Sequence, residues 1–66
     1  MTVQVGDIFQ YLRHKDGNDS SEYCLITEYN NDNSEPYWDM IGLDTGSLTC
    51  EVEDVLLDPT VYRRLA

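Results

Sequence analysis

Sixty-six residues, 41% of them hydrophobic and 11% aromatic, are too rich in core-forming side chains for a disordered acidic segment and too few for two domains, so residues 1–66 read as one domain. The net charge of −9 is unevenly placed: between Lys15 and Arg63 there is no lysine or arginine, while twelve of the thirteen acids fall in that interval. Direct binding to DNA or RNA, which needs cations to displace phosphate counterions, is therefore disfavoured, and no apolar run approaches the roughly 20 residues that cross a bilayer.

In chain order, Asp7 to Arg13 reads as a first strand, with Ile8 and Leu12 on one face and Phe9 and Tyr11 on the other. Both faces carry apolar bulk. Lys15 to Ser21 is a run of turn formers and predicts an exposed loop. Glu22 to Tyr29 reads as a second strand, Cys24 and Ile26 alternating with Tyr23, Leu25 and Thr27. Asn30 to Pro36 is polar, lacks periodicity and ends in a proline that cannot donate to a central ladder, which predicts a mobile loop.

Tyr37 to Leu43 and Ser47 to Glu53 are the expected third and fourth strands, joined at Asp44-Thr45-Gly46, where Gly46 can supply the left-handed conformation of a type I turn with a bulge. In the fourth, Leu48, Cys50 and Val52 alternate with Thr49, Glu51 and Glu53, predicting the first set on the core and the second in water. Val55-Leu56-Leu57 extends this strand or begins a fifth. Asp58-Pro59 reads as the cap and first position of a short helix that ends at Arg63 and Arg64. The expected fold class is mainly β: a small SH3-like barrel or curled antiparallel sheet of four to five strands with a short C-terminal helical turn.

Chemistry-bearing residues are sparse. His14, the one histidine, stands at a strand end with no nucleophile motif near it, and Cys24 and Cys50, each inside a strand pattern, are expected as buried reduced thiols rather than a disulfide. His14, Cys24 and Cys50 lack a fourth ligand and the paired spacing of a zinc site, and Asp16, Asn18 and Ser20 lack the glycine and closing glutamate of a calcium loop. No catalytic residue, metal or cofactor is expected. The aromatics Tyr11, Tyr23, Tyr29, Tyr37, Tyr62 and Trp38 have two readings: a core with hydroxyls at its rim, or a binding face with a charged border.

Gly6-Asp7-Ile8-Phe9, Glu22-Tyr23-Cys24-Leu25-Ile26 and Ile41-Gly42-Leu43-Asp44-Thr45-Gly46 together resemble short phage and prophage proteins of uncharacterised function, over most of the length. The resemblance implies a viral or mobile-element origin and an SH3-like strand order, with no catalytic residue to carry over. The opening residues show no basic stretch followed by an apolar block, so a protein of the bacterial cytoplasm is expected.

The leading functional expectation is an accessory protein that binds a host or phage protein and occupies a nucleic-acid-binding surface with carboxylates, as anti-restriction and anti-CRISPR DNA mimics do. Glu51 and Glu53, with Asp39, Asp44 and Asp54, are the expected acidic face. The second is an assembly module that self-associates, for example as a homodimer, or docks on a virion or replication component through Tyr37, Trp38 and Tyr11. Simple solubilisation accounts for the acids equally well.

Overall fold

The computed structural model describes residues 3–13, 21–32 and 35–66. His14, the Lys15–Ser20 segment with its calcium-like spacing, and residues 33–34 lie outside the described residues.

Five strands form one antiparallel sheet: β1 (Ile8–Tyr11), β2 (Tyr23–Asp32), β3 (Glu35–Gly42), β4 (Leu48–Val52) and β5 (Tyr62–Arg64), with one helical turn, α1 (Glu53–Leu56), between the last two. The order across the sheet is β4-β3-β2-β1-β5, which puts β2 at the centre. The edges β4 and β5 are not hydrogen-bonded to each other, so the sheet is not closed into a barrel. Instead α1 packs on β3, β4 and β5, and its Leu56, 1% exposed, seals that end of the core.

The inner face follows from register. Phe9 stands opposite Cys24, Cys24 opposite Gly42, and Ile26 opposite Met40, and these residues are buried together with Val3, Trp38, Leu56 and Tyr62. At Thr27 a bulge slips the β2–β3 register between Ile26 and Glu28, which re-aims the strand so that Tyr29 lies opposite Trp38, ring centroids 4.8 Å apart.

Four expectations are corrected. The segment from Asn30 to Pro36 is not a mobile loop where it is described: β2 runs on to Asp32 and β3 begins at Glu35. Pro36 lies one residue beyond the last β3–β4 pair, Tyr37 with Val52, so it occupies a stretch flanked by a strand on one side only, where a missing N–H is tolerated. Ser21, expected in an exposed loop, is buried against Gly42.

The helix lies before Asp58 rather than after it. Asp58 accepts from the Thr60 N–H (2.9 Å) and hydroxyl (2.7 Å), and its carbonyl accepts from Val61 and Tyr62, which makes a turn that delivers Tyr62–Arg64 to β1 as a strand. Arg64 pairs with Asp7 at 3.2 Å and covers the Phe9 ring, so it serves a strand seam, and both arginines lie on β5 rather than at a helix end.

The fourth correction concerns β4. Trp38 stands opposite Glu51 and Met40 opposite Thr49, so Thr49 and Glu51 share the inner face, while Leu48, Cys50 and Val52 share the outer face with Ile41, Asp39 and Tyr37. The turn fixes this register: the Gly42 N–H donates to Ser47 O and the Gly46 N–H to Gly42 O, with Gly46 at φ 76° as expected. A one-residue offset reverses every side chain in a strand, and here turn geometry outweighs the more apolar alternate set.

Candidate functional site

The acids expected to form one face occupy three places. Asp39 is on the outer face of β3, where its Oδ2 accepts from Asn30 Nδ2 at 2.8 Å. Asp44 sits in the β3–β4 turn and accepts from the Glu22 N–H at 3.0 Å; that bond, with a further one from Ser21, holds its carboxyl below the usual carboxylate range. Glu51 turns inward, and Glu53 and Asp54 form the first turn of α1, where carboxylates meet the unpaired N–H groups of the helix start.

The aromatics divide similarly. Trp38 is buried, Tyr11 is half-buried with its ring 5.2 Å from that of Tyr62, and Tyr37 stands on the outer face beside Val52. Trp38 and Tyr11 therefore belong to the core and its rim.

Where β4 and β5 fail to meet, the inner face opens into a cavity of about 220 Å³ lined by Tyr11, Cys24, Met40, Thr49, Glu51 and Tyr62, among others. Burial pushes the Cys24 thiol up, helped by the Asp44 charge, and burial followed by the Glu51 charge pushes the Tyr62 phenol up. Both shifts favour the protonated form, the opposite of what activates a nucleophile. Among the described residues no group of three His, Cys, Asp or Glu side chains is placed to hold a metal ion, and no helix is long and apolar enough to cross a membrane.

Sequence reasoning missed the outer face. It exposes Tyr23, Leu43 and Leu48, the last at 81%, and the clue was the apolar residue at both parities of β1 and β2. Comparison of the chain with protein-family models, with curated proteins and with solved structures gave no match.

Proposed function

We propose that this protein is a non-enzymatic binding module whose acidic side docks on a cation-lined surface of another protein, one that itself binds nucleic acid. The observation that carries the reading is the segregation of charge across the sheet. Glu28, Glu35, Asp39, Asp44, Glu51, Glu53 and Asp54 all fall on β2, β3, β4, α1 or the β3–β4 turn, and those described segments hold no lysine or arginine. Arg13, Arg63 and Arg64 all lie on the β1–β5 side, where the acids Asp7 and Asp58 offset part of their charge. A body polarised in this way orients itself in the field of a basic groove and speeds encounter by roughly 10- to 1000-fold at low salt.

The return of β5 to β1, with a helical turn between β4 and β5, supports placing the chain with SH3-like domains, and the resemblance to phage proteins supports a bacterial cytoplasmic partner. The test is capture from bacterial lysate by tagged protein, washed at rising ionic strength. A nucleic-acid-binding protein released by salt is the expected result, and it should be lost when Glu53→Lys and Asp54→Lys are combined, with circular dichroism unchanged. A partner that survives high salt, or that the double variant still binds equally well, overturns the reading.

A further inference from the structure

Among the described residues, Glu51 is the one acid that lines the cavity between β4 and β5, and no lysine or arginine lines it. Its Oε1 accepts from the Val52 N–H at 3.1 Å, which holds the carboxylate against the strand. No described cation pairs with it, and no described residue takes its other oxygen. The same lining carries Tyr11 and Tyr62, whose ring centroids lie 5.2 Å apart with the planes tilted by 42°. The Glu51 charge is felt at the Tyr62 phenol, so carboxylate and ring stand close. Met40 and Cys24, both buried, complete an apolar base.

Given the docking on a cation-lined protein proposed above, on which this step rests, we infer that the cavity takes the guanidinium end of an arginine side chain presented by that partner. Charge calls for a cation: a carboxylate with one oxygen still open stands beside two aromatic rings, and both kinds of group attract positive charge. Size calls for a single side-chain end, since about 220 Å³ is less than the roughly 300 Å³ at which pockets for whole small-molecule ligands begin.

Arginine suits the site better than lysine. Its guanidinium is planar, stacks on aromatic faces and is more weakly hydrated, so it enters a half-buried aromatic site at a lower desolvation cost. Its five N–H donors suffice for Glu51 and for both phenol oxygens. The mouth lies between two sheet edges that do not pair with each other, so the side chain enters while the chain that carries it stays outside. Glu53 and Asp54, at the start of α1 just beyond Glu51, add to the field that draws the cation in.

The test is a titration of the intact protein with the blocked tripeptide glycyl-arginyl-glycine amide, read by calorimetry and by the NMR signal of the Met40 methyl group on the cavity wall. Saturable binding that shifts Met40 is expected, and the same peptide with citrulline, the neutral isostere of arginine, should bind at least tenfold more weakly. Glu51→Gln, with circular dichroism unchanged, should weaken the arginine peptide about tenfold. Tyr11→Leu keeps the net charge of −9, so the weakening expected there cannot come from bulk electrostatics. An arginine peptide that leaves Met40 unmoved, a citrulline peptide that binds equally well, or a folded Glu51→Gln protein that binds as the wild type does overturns the site. Lysate capture reads the whole acidic side through Glu53 and Asp54, so it can succeed while this titration fails, and then only the cavity assignment falls. A capture that fails while the peptide still binds removes the docking reading and leaves the guanidinium site standing.

Discussion

Gly42 shows how one residue couples two turns. It lies on the inner face opposite Cys24, and a Cβ there would overlap Ser21 Oγ, the hydroxyl that bonds Thr45 Oγ1. Thr45 in turn donates to Ser47 Oγ at 2.9 Å and accepts from the Ser47 N–H at 3.2 Å, so the start of β2 and the β3–β4 turn are fastened through a space that only glycine leaves open. Gly42→Ala must displace Ser21, an overpacking that costs about 1–3 kcal/mol. A fall in the urea midpoint at constant m-value is the expected signature, and an unchanged midpoint would mean that Ser21 moves freely. Nothing in the sequence marks Gly42 apart from Gly46, because a close approach across strands depends on pairing that composition does not specify.

Among the elements, β4 is the one whose pattern pointed the wrong way. Leu48, Cys50 and Val52 form the more apolar alternate set, yet the register turns Thr49 and Glu51 toward the inner face, where Thr49 stays exposed and Glu51 is half-buried. As an unpaired edge, β4 invites another strand, and an inward-pointing charge such as Glu51 is a recognised means of discouraging that. The facing can be checked with a thiol reagent. Cys50 is exposed and Cys24 is buried with its pKa raised, so in the native protein Cys50 should react rapidly and Cys24 only on unfolding. Two equally protected thiols, the outcome that the alternation of β4 predicts, would refute the register. The α1 turn was hidden for a related reason: Val55-Leu56-Leu57 has no period long enough to separate a helical turn from a strand, and only the gap between the two sheet edges gives Leu56 a place to be buried.

At the scale of the whole molecule, charge sets the pH response. Thirteen acids against four Lys and Arg repel one another at neutral pH, and partial protonation relieves that repulsion as the pH falls toward the sequence pI of about 4.1. Asp44 and Asp58 act in the opposite sense. Their folded pKa values are lowered by hydrogen bonds, chiefly from Glu22 to Asp44 and from Thr60 to Asp58. Each therefore contributes stability that is complete above the unfolded aspartate value of about 3.9 and is lost as the pH falls through the folded value. The melting temperature should rise on acidification from neutrality, pass a maximum between about pH 4 and 5, and then fall. Thermal melts followed by Trp38 fluorescence decide this, and Asp58→Asn should flatten the acid limb. A melting temperature that climbs steadily down to pH 2 would show that repulsion alone governs.

The sequence by itself determined the class of fold, because alternation in Cys24–Ile26 and the Asp44-Thr45-Gly46 turn are local properties that each strand and hairpin express alone. It also determined the charge asymmetry, since a cation-free interval stays acidic however it folds. Only the tertiary structure decided which face of β4 is inside, that Tyr62–Arg64 is a strand, that Asp39, Glu51 and Glu53 stand apart, and that Tyr11, Glu51 and Tyr62 line one cavity. Each of these depends on register between segments distant in the chain. Register is set by turns, by the Thr27 bulge and by the approach of Ser21 to Gly42, and a one-residue change in any of them moves a side chain from core to solvent.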